Sequence, residues 1–308
     1  YYVRLAPVYP ETNRMRTLVV KSAKMTNDES THSSNISYAM LKDWFYSLES
    51  AEVSTGVSGT SYARVTNDKE EIPTYARYTD ENFFRVFPLV FLEGKPFTEA
   101  DRRSGIHNVV LTDSYAQQLF GTTKGVVGKN FLMDYTNVKV VGVVKSGSFL
   151  TPDSYAQVYL PYSCRDGYDD EGSHWALGGY RVYILMKESK SVTDVQDEVL
   201  ELVRKFNVSD MGDGWKLDLV GQPELYWHST FRLWSNVAVD WGRVIWMFVG
   251  IFMVLLFVPA FNLSGMISAR MERQLPDLGI RKAFGASRRR LLVQIIWENL
   301  LLTGLGTL

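Results

Sequence analysis

One cysteine, Cys164, stands in 308 residues, and only four histidines accompany it, His32, His107, His174 and His228. A lone thiol excludes an internal disulfide and a cysteine-built metal cage. The histidines are scattered, with no His-Glu-x-x-His and no ligand spacing, so no metal is expected. No Gly-x-Ser-x-Gly is present, which removes the nucleophile elbow. Gly128-Lys129-Asn130 is no phosphate loop: Thr123 stands where the first glycine belongs, and Asn130 replaces the Ser/Thr. Asp169-Asp170-Glu171 with His174 reads as a solvated acidic loop rather than a cation site. The sequence therefore offers no catalytic residue and no cofactor, and the chain is read as a non-enzyme.

Charge is unevenly spread. Residues 241–308 hold eight Lys/Arg and three acids; the first 240 hold 25 basic and 31 acidic residues, a net of −6 against +5. An acidic front and a basic, apolar back exclude a uniform globular enzyme. They also exclude a nucleic-acid binder, whose basic charge would lie on a folded face.

Charge is absent altogether from Val244 to Ala269. A bilayer core of about 30 Å needs about 20 helical residues, so this stretch is expected to span one. Pro259, Asn262, Ser264 and Gly265 in its second half suit a membrane helix with close neighbours. Trp241 and Trp246 sit where an interfacial aromatic belt belongs. Arg270 to Arg290 then carries seven Lys/Arg against two acids, which places 270–290 in the cytoplasm and the acidic first 240 residues outside. A second apolar run fills 291–308 and is read as a truncated next span. Glu298 lies inside it, an intramembrane acid or an interfacial one. Tyr1-Tyr2 is an unusual start, so the chain is expected to be a fragment that follows an earlier membrane helix.

The first 240 residues alternate strands and helices. Thr17–Ser22, Glu52–Val57, Ser61–Val65, Ile72–Tyr78 and Tyr180–Met186 read as strands. Ser33-Ser34-Asn35 is expected to cap a helix carrying Ile36, Met40, Leu41, Trp44, Phe45 and Leu48. Ser191-Val-Thr-Asp194 reads as a capping box. It opens a helix with Val192, Val195, Val199, Leu202, Val203 and Phe206 on one face. Trp215–Val220 is expected to be the closing strand. Strand–helix–strand thus occurs near each end. The expected fold is α+β: a split βαβ layer in a 1–224 domain, with a β-rich subdomain inserted over about 88–162. A stalk over 225–243, a membrane helix over 244–269 and a second one from 291 follow.

The inserted part has a distinctive order: Asp80-Glu-Asn-Phe-Phe-Arg-Val-Phe87, Leu92-Glu-Gly-Lys-Pro-Phe-Thr98, Asn108-Val-Val-Leu111, Ala116–Gly121, Gly128-Lys129, Val140–Val144 and Val158–Tyr162. This resembles the periplasmic core domain of MacB-type ABC transporter permeases. The tail is more specific. Asn262-Leu-Ser-Gly-Met266, Asp277-Leu-Gly-Ile-Arg-Lys-Ala-Phe-Gly-Ala-Ser287 and Glu298 resemble the FtsX-type permease signature. The likeness covers about 75–308; residues 1–74 match by layout.

Asp277 stands where the family usually has Glu, behind Pro276, and both suit the first turn of a short helix. The resemblance implies that Asp277, Gly279, Ile280, Arg281, Lys282, Gly285, Ala286 and Ser287 form a coupling helix docking on a nucleotide-binding ABC ATPase subunit. It implies a dimer with a second permease copy, a multi-pass inner-membrane location and movement of the external domain during export. A periplasmic adaptor or other envelope partner fits the same reading. Arg288-Arg-Arg290 serves topology or lipid headgroups. The alternative is an FtsX-like transmembrane regulator or sensor that activates an envelope partner without transport.

Overall fold

A computed structural model describes residues 13–305, apart from 14, 60, 68–69, 148–152, 170–174, 210–213 and 233. The chain divides into two compact units that meet between Val239 and Asp240.

In the first unit the elements are β1 (Thr17–Val20), β2 (Ala23–Thr26), β3 (Thr31–Ile36), α1 (Tyr38–Asp43), β4 (Ala51–Ser58), β5 (Ser61–Asn67) and β6 (Glu70–Thr79). Then come α2 (Phe83–Val86), β7 (Phe91–Gly94), α3 (Glu99–Ser104), β8 (Asn108–Thr112), α4 (Asp113–Phe120), β9 (Asn130–Met133), β10 (Thr136–Val144) and β11 (Val158–Pro161). The unit finishes with β12 (Leu177–Gly178), β13 (Tyr180–Met186), α5 (Val192–Val208), β14 (Lys216–Asp218) and β15 (Glu224–Leu225). Its content is mixed α and β.

The first sheet is organised by β13. Its sequence, YRVYILM, is buried almost throughout, as a strand with both faces covered must be. It pairs antiparallel with β4 along Tyr180↔Ser58 to Met186↔Ala51, and with β1 along Val20↔Val182 to Thr17↔Leu185. β1 and β4 therefore run in the same direction with β13 between them, and β15 lies beyond β1. β3, β2 and β14 extend the sheet from the Tyr180 end.

Period-two alternation distributes the core. Leu18, Val20, Val182, Ile184 and Met186 pack under α1 and α5, against Met40, Leu41, Phe45, Val195, Val199 and Phe206. Val19, Tyr183 and Leu185 point the other way, onto Phe83, Phe87, Val110 and Tyr159. One layer thus carries helices on one face and the inserted part on the other.

The second sheet runs β7-β10-β8-β11-β6-β5-β9, and β9 also pairs with β10, so six strands close into a ring. Ala63, Val65, Val109, Leu111, Val140, Val143, Val158 and Leu160 fill it, with Tyr115 and Leu119 of α4. Gly142, in the middle of β10, has a packing reason. A Cβ there would sit 2.7 Å from the Lys95 carbonyl, and one on Gly94 (φ +70) 2.1 Å from that of Val141. Side chains would force β7 away from β10.

Several expectations shift. Ser33–Asn35 lie in β3, tied to β2 by pairs such as Lys24↔Ser33, and Ser37 is the cap: its hydroxyl accepts from the Met40 amide. The inserted sheet starts at Ser61, well before 88, because β5 and β6 pair with β9 and β11. The closing strand shortens to Lys216–Asp218 because Val220 turns to φ +55. Before Asp240, the described residues of the stretch read as a stalk, 225–243, hold a short helical turn at His228–Phe231. The Arg232 guanidinium donates to Glu224 at 2.7 Å and to the carbonyls of Val220 and Val237. The Ser22 hydroxyl donates to the Ser235 carbonyl, and Asn236 to the Ser33 hydroxyl. This stretch is a strap bonded back onto the first sheet.

In the second unit α6 (Trp241–Ala283) begins at an Asp240 cap, whose side chain accepts from the Arg243 amide, and α7 (Arg288–Leu305) follows. α6 passes through both Pro259 and Pro276 without ending. The short helix expected to start at Asp277 does not exist as a separate element. Each proline removes one amide donor, and the leucine-, arginine- and glutamate-bearing sequence around Pro276 carries the helix across the gap.

Candidate functional site: the apolar helix and the turn that follows it

Trp241–Met266 is 26 residues long; its most apolar 18-residue stretch has a mean hydropathy of 2.6 and is unburied within the structure. It is the one described helix apolar and long enough to cross a bilayer. Apolar side chains occupy its whole circumference: Ile251, Phe252, Met253, Val254, Leu255 and Leu256 are consecutive and all exposed. A helix apolar all round needs an apolar surround. The whole of α6, 43 residues at 1.5 Å each, makes about 65 Å, roughly twice a hydrocarbon core. The last 17 residues, 267–283, carry the helix past the apolar stretch.

The turn after it is sharp. The Phe284 amide donates to Ile280 O and the Gly285 amide to Lys282 O, both at 3.1 Å. Gly285 stands at φ +90, a left-handed conformation that a side chain strains, so this glycine stops the helix. Ser287 O then accepts from the Arg290 and Leu291 amides, opening α7. Gly279, Ile280, Lys282, Phe284 and Ser287 are exposed and Ala286 is half-buried. Phe284 is 88% exposed, which no folding argument explains.

The motif therefore divides. Asp277, Gly279, Ile280, Arg281 and Lys282 belong to the last turns of α6, while Gly285, Ala286 and Ser287 form the turn itself. Asn262 lies within the apolar stretch and is exposed; Glu298 lies within α7. Arg288-Arg289-Arg290 occupy the first turn of α7, where the helix dipole disfavours cations. Their charge therefore does not stabilise the start of the helix.

Among the described residues of the first unit, none competes as a reactive centre. Burial pushes the Cys164 thiol up to about 12, which makes it inert. No group of His, Cys, Asp and Glu able to hold a metal occurs among the described residues. Of the loop weighed as a cation site, Asp169 is described and exposed, while Asp170, Glu171 and His174 lie outside the described residues. Lys129 leads into β9 and not into a helix, so its amide neighbours form no anion cradle.

Several buried or half-buried charges are held in ion pairs. Burial raises Asp153, but Lys21 at 3.5 Å and Arg181 at 2.8 Å outweigh it and hold the carboxyl below the usual range. Arg102 bonds Glu81 at 2.8 Å and lies 5.4 Å over the Tyr162 ring. Arg232 and Glu224 are 2% and 9% exposed. Sequence reasoning missed this last pair, which fixes the exit of the first unit. Its only local signal was an arginine in an otherwise uncharged stretch, residues 225–239.

Comparison with known proteins agrees with this division. Residues 8–202 match the MacB-like periplasmic core domain, and residues 246–308 match the FtsX-like permease C-terminal region. The pyoverdine export ATP-binding/permease protein PvdT of Pseudomonas fluorescens is 24% identical over 244 residues, 76% of this chain and 33% of that protein. The macrolide export ATP-binding/permease protein MacB of Escherichia coli K12 is 21% identical over 244 residues, 79% of this chain and 35% of that one. This chain thus spans about a third of the relatives it matches. The periplasmic region of MacB from Actinobacillus actinomycetemcomitans superimposes with a TM-score of 0.47 at 16% identity, over 68% of this chain and 92% of that structure.

Proposed function

From the premise that the chain belongs to the MacB-like periplasmic core domain family and carries an FtsX-like permease segment, we propose that it is the permease part of an ABC export system. Residues 17–239 form the extracytoplasmic domain, an α+β layer of split βαβ type with the ring of strands inserted between β4 and β13. Residues 241–266 cross the membrane, and α7 begins a second span. The region from Asp277 to Ser287 docks on an ABC ATPase, carried by another chain or by another part of the same polypeptide. A second permease copy completes the pair.

One observation carries this reading: α6 is continuous from Trp241 to Ala283. One continuous helix joins the apolar stretch to the exposed turn at Phe284-Gly285, so a displacement of the turn can pass along it to its outer end. ATP binding would draw the turns of two copies together, and the external domains would follow. Export then rests on moving the external domain, in keeping with the names of the relatives. The chain itself supplies no catalytic residue.

The FtsX-like match favours one second reading, in which the same lever regulates an envelope partner without transport. Purification of the full-length protein from its native membrane, with mass spectrometry, tests the first. An ABC ATPase should copurify, and Arg281→Glu with Gly285→Val should release it. A preparation with no ATPase in either the complex or the polypeptide overturns the proposal. Coupling to an envelope hydrolase without ATP-dependent efflux selects the regulator.

A further inference from the structure

A carboxylate is buried at the seam between the two sheets. Asp80 follows β6 of the ring and is fully buried. Its Oδ1 accepts from the Thr55 hydroxyl at 2.7 Å and the Asn82 amide at 2.9 Å. Its Oδ2 accepts from the Tyr46 hydroxyl at 2.6 Å and the Gly56 amide at 2.9 Å. Tyr46, Thr55 and Gly56 all belong to the first layer, so three of the four bonds cross between the lobes.

Both hydroxyls have a second oxygen in reach. Tyr46 Oη lies 3.4 Å from Tyr162 Oη, and Thr55 Oγ1 lies 3.3 Å from Thr79 Oγ1. The charged and titratable groups facing the site are Tyr46, Tyr162, Glu81 and Arg102, and the arginine is committed to Glu81. Among the described residues no ion pair reaches Asp80.

We propose that Asp80 is a proton-responsive latch between the α+β layer and the ring of strands. Ionised, it takes four donors. Protonated, it must itself donate, and Tyr46 or Thr55 turns to accept that proton while remaining bonded to Tyr162 or Thr79. The seam thus has two complete hydrogen-bond patterns, selected by the pH of the compartment that bathes the domain. That last step rests on the extracytoplasmic placement proposed above.

Burial without a cation raises Asp80 to about 6, against the lowering effect of its four donors. The sign follows. The folded seam binds more protons than an opened one between the ordinary Asp value and 6, so it is firmer in acid and loosens as pH rises through about 6.

Hydrogen exchange read by mass spectrometry on the full chain in nanodiscs, with both faces at one pH, tests the latch whichever side the domain occupies. After correction for intrinsic rate, protection of 51–58 and 79–87 should rise roughly tenfold from pH 7.5 to pH 5. Asp80→Asn should abolish that rise. Should that variant not fold, Tyr46→Phe removes one donor and should move the midpoint upward. Unchanged wild-type protection, a tenfold rise that survives in Asp80→Asn, or an unmoved midpoint in Tyr46→Phe overturns the latch.

Discussion

Two helices in this chain are built from similar apolar residues and obey different rules. In α5 the buried positions are Val195, Val199 and Phe206, while Leu200 and Val208 face water among charged neighbours. In α6 the residues from Ile251 to Val258 are all apolar and all exposed. The first pattern has a stripe, because its solvent is water on one side and a protein core on the other. The second has none, because one apolar solvent surrounds it. Burial in the fold and burial in a bilayer leave different periodicities, and the boundary at Asp240 is where the period changes.

The largest effects should separate the units. Phe83→Ala removes a fully buried ring packed against Phe84, Phe87 and Tyr159 and should cost about 3–5 kcal/mol. Thermal unfolding of the external domain reads it. Phe257→Ala, in the apolar helix, should leave that transition unmoved.

Leu255→Arg should disfavour insertion by about 3–4 kcal/mol, read by glycosylation mapping of the span. Leu200→Arg on the exposed face of α5 should change neither insertion nor stability. Equal behaviour of the two leucines would break the distinction between the helices.

At the turn, Gly285→Val places a branched side chain at φ +90 and should cost about 1–2 kcal/mol locally. Its readout is loss of ATPase stimulation with the external domain's melting unchanged. Ser37→Ala removes a cap whose hydroxyl accepts from Met40 and should cost about 1 kcal/mol, or roughly 2–4 °C in the same melt. The smallest effect belongs to Arg204→Ala, an exposed i,i+3 partner of Glu201, which should leave the melt within error.

Local signals carried well into the structure where one element decides. β13 appears with the boundaries read from its apolar run, Tyr180–Met186. The Ser191/Asp194 capping box is present, with each side chain bonded to the other's amide. The charge-free run from Val244 lies within a single helix, α6. What was not legible depends on partners far along the chain. Ser33–Asn35 look like caps until β2 pairs with them, and the ring closes through β9 meeting both β5 and β10. Pro276 looked like a helix start because local rules do not say when surrounding turns outweigh one lost bond. Arg232 could not be matched to Glu224 without the fold, nor Tyr46 and Thr55 to Asp80. In the motif over 277–287 the residue types were legible, but their split between the end of α6 and the turn was not.

The central claim is that the turn after α6 meets an ATPase. A photoreactive benzoylphenylalanine in place of Phe284, in the full-length protein in its native membrane, reports directly on what lies against that side chain. Irradiation should join it to an ABC ATPase, and the yield should depend on nucleotide. A cross-link to lipid alone, or an ATPase cross-link no stronger than from the exposed Tyr62 of β5, would contradict the account.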